Sequence, residues 1–213
     1  MLSMTSEHSG APNWFCSTHA IVALIAAGIF MVCGSVCAAR PIFGEELWRK
    51  SWPVNAPLDI EWLGSVREGS HEIRILRYTG SISGGRKQRI YALYGAPHGA
   101  SANSKVPAVV QIHGGGQTCE PANVAWFVDQ GYACLAFNWG GVRDGRTAEE
   151  TTDWSGGISV DYVDQPVLGL PQTMLYHAVL AARRAVDVLQ ERPEVDAARI
   201  GLQGISWGGL LAW

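Results

Sequence analysis

The spacing of apolar and polar positions predicts a run of strands and helices along the chain. From His71 to Tyr78 (HEIRILRY) the two kinds of residue alternate, with Ile73 and Ile75 on one side, as in a half-buried strand. Gln88–Tyr94 alternates again, and Ser83-Gly84-Gly85-Arg86 between them is a turn signal, so the two segments predict an antiparallel hairpin. After the polar loop Pro97–Lys105 the pattern changes. Ala108–Ile112 (AVVQI) is a short, mostly apolar run of the kind buried on both faces of a parallel sheet. Pro121–Gln130 has helical spacing at Val124, Phe127 and Val128, and Gly131 ends it. Tyr132–Phe137 (YACLAF) is a second buried run, followed by a long polar stretch from Gly140 to Gln165. Pro171–Arg192 predicts a long helix. Leu175, Ala178, Val179, Ala182, Val186 and Leu189 share its apolar face, while Arg183, Arg184, Asp187 and Glu191 lie off it. Pro193 stops the helix, and Arg199–Gln203 predicts a third short strand.

Strand, helix, strand, helix, strand in that order implies an α/β fold with a mostly parallel sheet and right-handed crossovers. The opening antiparallel hairpin joins the sheet at its edge. Residues 40–70, with Trp48, Trp52, Trp62 and the stretch WPVNAPL, read as a segment wrapped against the domain that occupies 71–213. Residues 1–39 stand apart. Ala20–Ala39 carries no charge and is long enough for a secretory signal or a membrane anchor. Small residues at Cys37 and Ala39 fit a cut before Arg40; the absence of Lys or Arg ahead of the segment fits an anchor. Either reading places the folded part outside the cytoplasm, exported and periplasmic or secreted, with membrane contact only if the segment is not cleaved.

Composition narrows the function. With 47% apolar and 16% charged residues the 213-residue chain is globular, and a formal net charge of −3 without a basic stripe gives nucleic-acid binding little support. The nine tryptophans fit core and lid packing, or a groove in which flat rings stack on the C–H faces of sugars. Of the five cysteines, Cys119 and Cys134 fall in the folded part, near opposite ends of one helix, and are expected as free thiols. No CxxC pair or His/Cys cluster points to a metal site, and no cofactor is implied.

The chemistry concentrates in two glycine-rich turns. Gly204-Ile205-Ser206-Trp207-Gly208 follows a predicted strand and precedes the apolar run Leu210–Trp213, the setting of a G-x-S-x-G nucleophile elbow. A serine hydroxyl is a weak nucleophile and must be held exposed beside a base; a sharp strand-to-helix turn does this, and glycines relieve its crowding. His113-Gly114-Gly115-Gly116 ends the AVVQI strand. Its amides at Gly114 and Gly115, with that of Trp207 after the nucleophile, are candidate donors to an oxyanion. His113 reads as a support for this loop, because a base is expected after the nucleophile in chain order. Trp139, after the second buried run, lies at the carboxyl edge where open α/β sheets bind ligands and is a candidate pocket wall. His71, His98 and His177 read as structural, and Asp153, Asp161 and Asp164 as loop residues able to shape a pocket.

The segments PAVVQIHGGGQ, GYACLAFNWGG and ERPEVDAARIGLQGISWGG together resemble the acetyl xylan esterases and cephalosporin-C deacetylases. These are α/β-hydrolases close to dienelactone hydrolases and prolyl-oligopeptidase-type enzymes. The resemblance runs from about His71 to Trp213. It implies an incomplete α/β-hydrolase domain, with Ser206 as nucleophile, Gly114, Gly115 and Trp207 around the oxyanion, and hydrolysis of short acyl esters such as acetylated carbohydrates. In this superfamily the acid and then the base follow the serine. The chain ends at Trp213, so it is expected to lack both and to have little activity alone. The alternatives are a fragment of a prolyl-oligopeptidase-type peptidase and an inactive remnant or binding module. Too few residues precede the first strand for the propeller that commonly accompanies such peptidases.

Overall fold

The computed structural model describes residues 57–140, 152, 154, 156–158 and 169–213. The chain divides between Arg40 and Pro41, and every described residue belongs to the second unit. The apolar segment Ala20–Ala39 and the loop residues Asp153, Asp161 and Asp164 lie outside the described residues.

Among the described residues six strands form one sheet in the order β1-β2-β3-β5-β4-β6. They are β1 (Glu61–Glu68), β2 (His71–Ser83), β3 (Arg86–Gly95), β4 (Val106–Ile112), β5 (Ala133–Phe137) and β6 (Val195–Gly204). Among the described residues the α-helices are α1 (Pro121–Asp129), α2 (Met174–Gln190) and α3 (Trp207–Ala212), with a 3-10 turn at Leu170–Gln172 ahead of α2. The hairpin β2–β3 is antiparallel, as its alternation and its Gly84-Gly85 turn require, and β3 joins β5 antiparallel. β4 pairs parallel with both β5 and β6.

One strand is absent from the sequence reading. The sequence pattern of residues 40–70 predicts a wrapping segment, yet Glu61–Glu68 pairs antiparallel with β2 and forms an edge of the sheet. Only Trp62 and Glu68 of this strand are even half-buried, so EWLGSVRE lacks the apolar alternation by which a strand is recognised.

Period-two alternation in the sheet builds two cores. Leu76, Tyr78, Ala92, Tyr94, Val110, Ile112, Leu135 and Phe137 meet α2 on one face. Ile73, Tyr91, Leu93, Cys134 and Ala136 meet Val124 and Val128 of α1 on the other. Burial of each large apolar side chain contributes roughly 1.5–3 kcal/mol. Tyr78 Oη also donates to Ala181 O at 2.9 Å, fastening α2 to β2.

The face that α2 buries differs from the expected one. Leu175, Val179 and Val186 are only partly buried, whereas His177, Ala181, Ala185 and Val188 join Ala178, Ala182 and Leu189 inside. Arg184, expected off the apolar face, is buried. Its cost is offset by partners: Nε donates to Thr79 O at 3.2 Å and Nη1 to Asp187 Oδ2 at 2.9 Å.

Candidate active site

The parallel strands β4, β5 and β6 end side by side, with Ile112 in register with both Phe137 and Gly204. Each strand hands over to a loop at this edge, and the two glycine-rich turns therefore emerge as neighbours.

Ser206 stands between β6 and α3 with φ 54° and ψ −121°. A non-glycine residue rarely adopts a positive φ, so the turn holds Ser206 in a strained backbone conformation. The serine is exposed, and among the described residues no histidine or carboxylate hydrogen-bonds its Oγ. Gly208 N–H donates to Ile205 O and Gly209 N–H to Ser206 O, both at 2.9 Å, which starts α3 directly from the turn.

The flanking glycines answer a steric demand. A Cβ on Gly204 would strike the Gly208 carbonyl, and one on Gly208 would strike the carbonyls of Ile112 and His113. The elbow is thus pressed against the start of the His113–Gly116 loop. A Cβ on Gly115 would come 2.6 Å from Trp207 Cδ1, so this loop touches the residue after the serine as well.

The loop has its own internal order. Gln117 Oε1 accepts the Gly114 N–H at 2.9 Å, and Gln117 N–H donates to Gly114 O at 3.3 Å. His113 Nδ1–H donates to the same carbonyl at 2.7 Å, while His113 Nε2 accepts the Trp139 N–H at 3.3 Å. These two partners fix the ring as the neutral Nδ1–H tautomer. Of the two glycine amides expected to face an oxyanion, Gly114 is already engaged by Gln117. Gly115 N–H has no hydrogen-bond partner among the described residues. Sequence reasoning missed Gln117; an amide side chain three residues beyond Gly114 was the only signal.

Trp139 does not form an open wall. Its ring is fully buried beneath His113, and Nε1 donates to His113 O at 2.8 Å. An apolar ring at the end of a strand that is buried on both faces continues into the core. An open cavity of about 730 Å3 lies beside the elbow instead, between Gln111, Gln117, Glu120, Trp126, Gln203 and Ile205. Gln111 Oε1 is buried there without a partner among the described residues, and Trp126 is 59% exposed.

The other histidines lie in structural contacts. His71 Nε2 meets Asp129 Oδ1 at 2.7 Å. His177 Nε2–H donates to Pro171 O at 2.8 Å, and its Nδ1 accepts from Ser81 Oγ at 2.7 Å. Burial lowers the His177 pKa from its ordinary value. Among the described residues no cluster of three or more His, Cys, Asp or Glu side chains is arranged to hold a metal ion.

The profile of the acetyl xylan esterase (AXE1) family matches residues 46–213. The chain belongs to the acetyl xylan esterase family. Its fold is similar to that of acetyl xylan esterase 1 from Thermoanaerobacterium sp. JW/SL YS485, with a TM-score of 0.61 and 25% identity over 78% of this chain and 51% of that one. It is also similar to the acetyl xylan esterase from Paenibacillus sp. R4, with a TM-score of 0.56 and 26% identity over 74% of this chain and 49% of that one. The chain thus spans about half the length of these relatives. No curated protein matches it. The family match begins at residue 46, ahead of β1. No described helix is long and apolar enough to cross a membrane.

Proposed function

We propose that this chain carries the nucleophile and oxyanion half of a serine esterase that removes acetyl or other short acyl groups from carbohydrates. The observation that carries this reading is Ser206 itself. It is an exposed serine at φ 54°, on a turn packed against a glycine loop with an uncommitted amide.

In the proposed reaction Ser206 Oγ attacks the ester carbonyl and the alcohol leaves, giving an acyl-serine that water then hydrolyses to the acid. The charge on the tetrahedral oxygen falls to the amides of Gly115 and Trp207. Gly114 takes a different part from the one its position first suggested. With its N–H held by Gln117, it anchors the loop so that Gly115 is presented. The acid and base of the triad come from residues outside those described. Among the described residues no histidine or carboxylate is in place to take the Ser206 proton, and loss of either triad partner from a complete centre costs about 10⁴–10⁶-fold in turnover. Residues 1–39 act as an export signal or anchor, and the enzyme works outside the cytoplasm.

Acetate release from acetylated xylan tests the reading. The protein that carries this chain should release acetate, and Ser206→Ala should abolish release. Cleavage of proline peptides in place of acetyl esters would favour a peptidase. Absence of any Ser206-dependent hydrolysis would favour an inactive remnant.

A further inference from the structure

A second pocket, of about 390 Å3, opens where the start of β2, the end of β3 and the β1–β2 turn meet. Gly95 pairs there with Cys134, near the amino end of β5, so the pocket lies at the opposite end of the sheet from Ser206. Its charged groups are unequally engaged. Glu72 accepts from Ser65 Oγ at 2.7 Å, and Glu194 accepts from Tyr94 Oη at 2.6 Å. On the basic side, the Arg74 guanidinium carbon sits 3.4 Å from the centroid of the Trp62 ring. Neither Arg74 nor Arg67 has a carboxylate partner among the described residues.

This arrangement favours an anion. A ring stacked on one face of a guanidinium restrains the long side chain and leaves its in-plane N–H groups for a planar oxyanion. Arg67 stands on β1 opposite Glu72, beside the same opening. Both arginines line this one pocket, and with Glu72 and Glu194 held by hydroxyl donors their guanidinium N–H groups suit the paired oxygens of a carboxylate. The rim adds neutral hydrogen-bonding groups, the Ser70 hydroxyl and the His98 imidazole, which suit hydroxyls better than bare charge. The volume lies in the range of small-ligand sites.

We propose that this pocket binds the carboxylate of an acidic sugar, a hexuronate, through Arg67 and Arg74, at a site separate from the ester-cleaving centre. In a carbohydrate esterase such a site holds a charged branch of the polymer while the acyl group is presented elsewhere. It requires no catalysis, so its test is independent of the esterase reading.

The test is a calorimetric titration of the 213-residue chain at low salt with D-glucuronate, D-glucose and inorganic phosphate. Glucuronate should bind saturably, more weakly as salt is added, and equally well to Ser206→Ala. Arg74→Gln should weaken binding about tenfold or more, as loss of a charge-assisted hydrogen bond implies. Arg67→Gln, on the exposed strand β1, provides the same reading without disturbing the core, and circular dichroism verifies the fold of both variants. The proposal is overturned if glucuronate fails to saturate or if glucose binds as well. It is also overturned if phosphate binds more tightly than glucuronate, or if both arginine variants bind unchanged.

Discussion

The ring of Trp139 stacks on that of His113 with centroids 5.3 Å apart and planes 12° from parallel. Together with the hydrogen bond from Trp139 Nε1 to His113 O, this places the glycine loop on the top of the core. The loop's position beside Ser206 is therefore set by packing below it. Trp139→Ala is expected to cost about 3–5 kcal/mol, as for other large buried aromatics. Trp139→Phe keeps a ring under His113 but removes the hydrogen bond to that buried carbonyl, at about 1–3 kcal/mol. Urea unfolding of the two variants measures both. A Phe variant as unstable as the Ala variant would mean that the hydrogen bond outweighs the stack.

The elbow carries a strain that stability measurements can read without any assay of activity. A positive φ at a non-glycine residue costs of order 1–3 kcal/mol, and glycine removes it. Ser206→Gly is expected to raise stability by about 1 kcal/mol, and Ser206→Val to lower it. Gly208→Ala is destabilising, opposite to Ser206→Gly, because its methyl group meets the carbonyls of Ile112 and His113. A loss of about 1–3 kcal/mol or more is expected. Chemical denaturation of the three variants checks the pattern, and a Ser206→Gly variant less stable than the parent would contradict it.

How far the sequence exposed this architecture depended on burial. The strands β4 and β5 are short apolar runs because both their faces are covered, and their limits were legible within two residues. Strand β1 was not legible, because an edge strand with exposed side chains has no apolar rhythm to display. Ser206 and its glycines were legible because the turn imposes residue types at fixed spacing. The engagement of Gly114 by Gln117 was not, since an amide near a glycine loop has many alternative partners until the loop is folded. Arg184 was misplaced for a related reason: a cation is assigned to solvent unless its acceptors, here Thr79 O and Asp187, are known.

The two described thiols are free and buried in the same apolar cluster. Burial pushes the Cys134 thiol well above its ordinary value, so no thiolate forms near neutral pH. Ellman's reagent should leave Cys119 and Cys134 unmodified in the native chain and label both in denaturant. Labelling of either in the folded protein at a rate near that of a free thiol would show that this core opens. Because Cys16, Cys33 and Cys37 precede the described residues, the measurement uses a variant with serine at those three positions.

His177 gives the fold a dependence on pH in the mildly acidic range. Its Nε2–H donates to Pro171 O, and its Nδ1 accepts from Ser81 Oγ, so both ring nitrogens are satisfied in the neutral form. Burial opposes the charged form more strongly than the Pro171 carbonyl favours it, and the folded pKa lies below the ordinary value of 6.5. The folded state then binds fewer protons than the unfolded chain, and stability rises with pH through this window. The contribution is complete above about pH 6.5 and declines as the pH falls toward the lowered folded value, by at most about 1.4 kcal/mol per pH unit. Asp59 and Asp196 also have lowered values, but from a starting point of 3.8, so their contributions are lost only at more acidic pH. Unfolding free energies at pH 7.5 and 5.5 are expected to fall for the parent chain, with a smaller fall in His177→Gln. An equal fall in the two proteins would place the pH sensitivity on another group.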